Sequence, residues 1–244
     1  LKKKVQEVNA DFGVAFDGDA DRIGFIDETG QMVMADLVAA FLAKELFLKD
    51  HPGTSIIYDT RSSRIVPETI EEASGKAIQS RTGHFYVKEV MRREKAIFAA
   101  ERSGHFYYQN FFYSESALLS FLYFLAAVSQ ANQKVSILVN RYNKYFSTGE
   151  VNFSVLDRSP ERLQEIAKNF PDGKIEWFDG LSVLYDAWWF NLRPSANEPL
   201  LRLTIEGKTF EIVNEKLELL KKLILSWAGG EDRTRDLLFT KQLL

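Results

Sequence analysis

Three carboxylates at alternate positions, Asp17, Asp19 and Asp21, stand in the six-residue stretch Asp17-Gly18-Asp19-Ala20-Asp21-Arg22. Anionic oxygens crowded this closely repel one another unless a hard cation sits among them, so the spacing asks for Mg²⁺ or a similar oxygen-liganded ion. Solvated Asp-Gly turns carry the same residues. An EF-hand is the other acidic loop to weigh, because Asp17, Asp19 and Asp21 suit its first ligand positions and Glu28 its last. It fails where its sharp turn requires Gly and the chain has Arg22. Phe12, Val14 and Phe16 before the loop, and Ile23, Phe25 and Ile26 after it, predict strands on both sides, not helices.

Four more stretches could do chemistry. In Ala100-Glu101-Arg102-Ser103-Gly104-His105 a carboxylate lies close to a hydroxyl, a pairing that suits a diol, and Gly104 lets the backbone approach closely. His105 can exchange protons near neutral pH, although a lone histidine is more often structural. Tyr58-Asp59-Thr60-Arg61 and Ser80-Arg81-Thr82-Gly83-His84 each end a predicted strand. On residue types alone, Arg61 and Arg81 are surface charges and His84 a helix N-terminal residue. In Arg193-Pro194-Ser195-Ala196-Asn197-Glu198-Pro199, the arginine with hydroxyl, amide and backbone donors can hold a phosphate bidentately. The same loop also reads as a Pro-bounded turn between strands. His51, before Pro52-Gly53, reads as a turn.

Residues 10–22, ADFGVAFDGDADR, resemble the metal-binding loop of the α-D-phosphohexomutases, the phosphomannomutase/phosphoglucomutase enzymes. Residues 100–105 are similar to that family's sugar-binding loop and residues 193–199 to its phosphate-binding loop, in the same order along the chain. The resemblance implies that Asp17, Asp19 and Asp21 hold Mg²⁺ and that Arg22 neutralises charge. It implies that Arg61, Arg81 and His84 face substrate, Glu101 and Ser103 orient sugar hydroxyls, and His105 transfers protons. Arg193, Ser195 and Asn197 then hold the phosphate that is not being transferred. The family usually opens the sugar loop with Gly where this chain has Ala100, and often has Met where it has Arg102. That arginine adds a charge that contacts phosphate or faces water. Ala196 and Asn197 replace the usual Asn or Gly followed by Thr, which removes a hydroxyl while Asn197 can still donate.

The elements around these loops divide the chain. Residues 1–33 read as a helix with Val5 and Val8 on one face, then two strands around the acidic loop. Such a segment is too small to stand alone; the resemblance implies that it is the end of a second domain, with the metal-binding loop. Residues 34–146 alternate helical and strand periods, which predicts a sheet with parallel strands covered on both faces and ligand loops at strand ends. Residues 147–228 read as short strands closed by helices, a smaller α+β domain. Residues 229–244 form a tail. The expected fold class is α/β, a mixed α/β sheet domain of phosphohexomutase type followed by a smaller α+β C-terminal domain.

Composition excludes several functions. At 244 residues with 45% hydrophobic and 13% aromatic side chains, 14 Gly and 6 Pro, the chain is globular. A net charge of −3 gives no long-range attraction to nucleic acid or anionic lipid. Without cysteine there is no disulfide, zinc-thiolate site or thiol nucleophile. The apolar run 117–128 is too short to span a bilayer and reads as a buried helix. A cytoplasmic location is expected.

The family interconverts hexose 1-phosphate and hexose 6-phosphate through a bisphosphorylated sugar, using a phosphoserine from a first domain. No Ser-His-Asn-Pro loop of that kind occurs here. The expectation is therefore a C-terminal portion of a phosphohexomutase acting on mannose or glucose phosphate, inactive without its N-terminal domains. Its partners would be a hexose phosphate and those domains, with no nucleic acid and no membrane. The alternative is a non-catalytic sugar-phosphate-binding or regulatory protein built from the last mutase domains.

Overall fold

A computed structural model describes residues 1–155, 158–195 and 198–226. The chain divides into two compact units, Leu1–Lys144 and one that begins at Tyr145.

The first unit opens with α1 (Lys2–Val8), which ends where Asn9 turns left-handed. Only Val5 of its two valines is buried; Val8 is exposed, contrary to the reading of a shared apolar face. Next come β1 (Phe12–Phe16), β2 (Ile23–Asp27) and β3 (Met32–Val33), an antiparallel sheet in that order. Phe16 pairs with Ile23, so the acidic stretch is the hairpin loop between β1 and β2. Phe25 is buried with its ring centroid 4.2 Å from that of Phe124, and Phe12 lies 5.4 Å from the same ring. The hairpin thus gains from the first unit the apolar cover it could not supply for itself.

Beyond it lie α2 (Ala35–Leu42), a π-helical turn Ala43–Phe47, α3 (Leu48–Asp50), β4 (Ser55–Asp59), α4 (Ile65–Glu72), β5 (Lys76–Ser80), α5 (His84–Glu94) and β6 (Phe98–Ala100). β7 (Phe106–Tyr108), β8 (Ser114–Glu115), α6 (Ala117–Ala131) and α7 (Val135–Asn140) complete the unit. The sheet order is β5-β4-β6-β7-β8, with β5, β4 and β6 parallel and β7 and β8 returning antiparallel. It is therefore a mixed sheet. Sequence periodicity missed β7 because Phe106, Tyr107 and Tyr108 are all buried and show no alternation.

The reading of α6 as a buried helix needs correction. Phe124, Ala127 and Val128 are buried, but Leu118 is 61%, Leu122 48% and Leu125 38% exposed. Among the described residues no helix is long and apolar enough to cross a membrane.

The second unit contains β9 (Phe146–Ser154), α8 (Pro160–Ala167), β10 (Lys174–Glu176), β11 (Leu181–Leu184), β12 (Trp188–Pro194), β13 (Leu200–Gly207) and α9 (Phe210–Leu225). All its strands pair antiparallel in the order β10-β11-β12-β13-β9. Val213, Leu217, Leu220 and Ile224 lie at helical spacing on α9 and pack against Val151, Phe190, Leu203 and Ile205. The hydroxyls of Ser159 and Thr209 cap the two helices by accepting the Arg162 and Ile212 amides. This is the smaller α+β arrangement read from the sequence. The expected tail, 229–244, lies outside the described residues.

Candidate active site

The carboxyl ends of β4, β5 and β6 lie side by side, so the loops that follow Asp59, Ser80 and Ala100 cluster at one edge of the sheet. Ligand-binding loops of open α/β sheets occupy this edge. Thr60 Oγ1 donates to the Ser80 carbonyl at 3.0 Å, tying the first loop to the second. The Gly83 amide donates to Glu101 Oε1 at 2.9 Å, tying the second to the third.

The acidic hairpin joins the same cluster. The Ile23 amide donates to the Gly104 carbonyl at 3.2 Å. His105 Nε2 lies 3.2 Å from Asp21 Oδ2, and His105 Nδ1 lies 3.2 Å from Glu101 Oε2 and 2.8 Å from Ser103 Oγ. Gly104 has φ +93°, a conformation L side chains rarely adopt.

Carboxylate oxygens of Asp17, Asp19 and Asp21 all lie within 4.8 Å of one another. Asp17 accepts the Arg22 amide at 3.1 Å and pairs with Arg22 Nε at 3.1 Å. Burial opposes ionisation of Asp17, but the backbone hydrogen bond and the charge of Arg22 outweigh it and hold the carboxyl below its usual range. Asp21 Oδ1 is buried without a hydrogen-bond partner, with Arg22 Nε 3.6 Å away. A buried anionic oxygen lacking a donor is unfavourable unless a cation sits beside it. Hard oxygen donors and an undonated oxygen fit Mg²⁺. Glu28 takes no part; it accepts the Ser136 amide at 3.1 Å and a short hydrogen bond from the Ser136 hydroxyl.

Glu101 is 3% exposed. Burial would raise its pKa, yet hydrogen bonds from His105, from the Tyr107 hydroxyl at 2.5 Å and from the Gly83 amide bring it down to about 2. Burial would lower that of His105, but the hydrogen bond and charge of Glu101 and the charge of Asp21 raise it, against Arg22.

The remaining residues singled out in the sequence are placed less simply. Arg61 is buried and folds back onto Asp59, with Nε at 3.0 Å and Nη2 at 2.7 Å from Oδ2. The Arg81 guanidinium lies 4.6 Å from the Tyr86 ring centre, and His84 is the exposed first residue of α5. Arg102 neither faces water nor stands out in the loop: it is 8% exposed, beside Asp36 at 3.4 Å.

In the second unit, Arg193 Nη2 lies 3.1 Å from Glu150 Oε2, and Arg202 Nη1 lies 2.9 Å from Glu150 Oε1. Arg193 and Arg202 are directly opposite on β12 and β13. Like charges so placed are destabilising, and Glu150 bridges them. The Ser195 amide donates to the Leu200 carbonyl at 2.9 Å, closing the loop. Asn197 and its neighbour Ala196 lie outside the described residues. Sequence reading missed Tyr107, Glu150 and Arg202; only strand register brings them to the loops.

A sheet edge bearing a carboxylate-histidine pair and an acidic hairpin, in a chain that also carries an antiparallel α+β unit with an arginine loop, has the α/β arrangement that the sequence resemblance implied. The comparisons agree. Residues 34–145 match the family described as phosphoglucomutase/phosphomannomutase, alpha/beta/alpha domain III. The phosphomannomutase of Methanocaldococcus jannaschii is 43% identical over 222 residues, covering 91% of this chain and 49% of that protein. The crystal structure of a phosphoglucomutase/phosphomannomutase family protein from Burkholderia thailandensis superposes with a TM-score of 0.83 at 27% identity, over 94% of this chain and 50% of that one. N-acetylphosphoglucosamine mutase of Aspergillus fumigatus, in complex with GlcNAc-6P and magnesium, shares the fold at a TM-score of 0.68 and 13% identity, over 88% of this chain and 48% of that one. Over residues 34–145 the chain carries domain III of the phosphoglucomutase/phosphomannomutase family, and it spans about half the length of the curated phosphomannomutase it matches.

Proposed function

We propose that the chain forms the metal-, sugar- and phosphate-binding loops of a phosphohexomutase that interconverts hexose 1-phosphate and hexose 6-phosphate. The phosphoserine comes from residues beyond this chain, which alone does not turn over. The observation that carries this reading is the His105 imidazole between Asp21 and Glu101, which puts a proton-carrying group between an acidic loop and a diol-binding carboxylate.

Phosphoryl transfer asks for positioning and charge neutralisation more than for covalent chemistry from side chains. Asp17, Asp19 and Asp21 would hold Mg²⁺, which when bound offsets phosphate charge; the magnesium complex of the fungal mutase supports the same ion. Arg22 neutralises charge beside them, and Arg61, Arg81 and His84 serve the substrate loops. Glu101 and Ser103 orient sugar hydroxyls. His105 carries the proton exchanged as one hydroxyl becomes phosphorylated and another is released. Arg193, Ser195 and Asn197 grip the phosphate that stays in place. A grip on hydroxyls distant from C2 admits both mannose and glucose phosphates.

Titration of the chain with mannose 6-phosphate and glucose 6-phosphate in Mg²⁺ tests the reading. Saturable binding that disappears in Arg193→Ala is expected. Equal binding by both proteins would remove the phosphate role, and mutase turnover by the chain alone would remove the claim that its phosphoserine lies outside.

A further inference from the structure

Beside the candidate sugar loop lies a buried ionic network. Asp36 is 5%, Asp59 0%, Arg61 9% and Arg102 8% exposed. Arg102 Nη1 lies 3.4 Å from Asp36 Oδ2 and donates to the Arg61 carbonyl at 3.0 Å. Arg61 in turn is held by Asp59 through Nη2, at 2.7 Å, and through its own amide, which donates to Asp59 Oδ1 at 3.1 Å. Two cations and two anions therefore link the first turn of α2, the loop after β4 and the loop after β6.

Burying four charges is expensive even when they are paired, and apolar residues of similar volume often serve stability as well or better. The network's distinctive product is geometry. Arg102 stands between Glu101 and Ser103 in sequence, and its guanidinium is fixed at two points on two different segments. A fixed guanidinium fixes the backbone from which Glu101 and Ser103 project. Methionine, which resembles arginine in reach but has no donors, could fill the volume without holding either segment.

We propose that Arg102 is a positioning residue: through Asp36 and the Arg61 carbonyl it sets the placement of the 100–105 loop, and with it Glu101, Ser103 and His105. The binding arm of the test rests on the proposed function, whereas the exchange arm does not.

Two variants separate positioning from charge balance. Arg102→Met takes the Arg102 charge away from buried Asp36 and should lower stability. Arg102→Met with Asp36→Leu removes both charges and should recover it. Amide hydrogen exchange then reads the loop directly, because the Gly83 amide is donated to Glu101 and the Ile23 amide to the Gly104 carbonyl. In the double variant, exchange at Gly83 and Ile23 should quicken about tenfold relative to the core amide of Ile57, the scale of one hydrogen bond to a charged group. Hexose phosphate binding should weaken in parallel. If the double variant keeps native protection at Gly83 and Ile23, or loses it only in step with Ile57, Arg102 is a charge partner and the proposal is overturned. If the wild-type chain binds no hexose phosphate while Gly83 and Ile23 still lose protection selectively, the proposed function fails and the positioning role stands.

Discussion

His105 joins Asp21 to the 100–105 loop: its Nε2 is 3.2 Å from Asp21 Oδ2, on a different segment of the chain. Whatever fixes Asp21 therefore also fixes the imidazole. With Asp21 Oδ1 undonated and three carboxylates converging, calorimetric titration should detect Mg²⁺ binding. Asp17→Asn and Asp21→Asn should each weaken it by about tenfold or more, since each removes one anionic ligand. Unchanged Mg²⁺ affinity in both variants would show that the acidic loop is a solvated turn.

Gly104 docks the 100–105 loop on the acidic hairpin. A methyl group there would lie 3.0 Å from the Ile23 carbonyl oxygen, and φ of +93° strains any L side chain. Gly104→Ala should destabilise the first unit by about 1–3 kcal/mol, seen as a lower midpoint in urea. A midpoint equal to that of the parent protein would mean that the loop does not need this approach.

Much of this was legible in the residues. Asp17, Asp19 and Asp21 sit three abreast because alternate positions of a short hairpin loop leave their carboxylates close together. β4, β5 and β6 followed from helical and strand periods. Long-range pairing was not legible. The fully buried Phe106-Tyr107-Tyr108 has no periodicity, yet it returns antiparallel and brings the Tyr107 hydroxyl to Glu101. The departure at Arg102 was visible as a charge, but only packing shows Asp36 beneath it. Glu150 and Arg202 meet Arg193 through strand register, which no local pattern encodes.

Glu101 makes stability depend on pH. Its folded pKa, about 2, lies below the ordinary value of 4.5. The ionised form is thus favoured by folding, so its contribution is fully present above about pH 4.5 and is lost as pH falls towards 2. That contribution is on the order of 3 kcal/mol. Urea unfolding between pH 7 and pH 2 should show the decline, and Glu101→Gln should flatten it. An identical pH profile in the variant would place the acid sensitivity elsewhere.

Glu150 bridges two arginines that would otherwise repel, and a carboxylate and a phosphate accept from the same kind of guanidinium donors. Glu150→Gln keeps the size of the side chain but removes its charge. Arg193 and Arg202, opposed across the strands, would then lose their shared anion while Arg202 keeps Glu198, 2.7 Å from its Nη2, at a cost of about 1 kcal/mol. An anion added from solution can replace the one removed, because phosphate accepts bidentate hydrogen bonds from arginine as a carboxylate does. Inorganic phosphate should therefore raise the melting temperature of Glu150→Gln more than that of the parent protein, in a saturable way, and Arg193→Ala should abolish the difference. Equal phosphate responses in parent and variant would mean that the carboxylate and the anion do not compete for these guanidinium groups. The arginines would then be structural, and the loop from Arg193 to Pro199 would be a turn between strands.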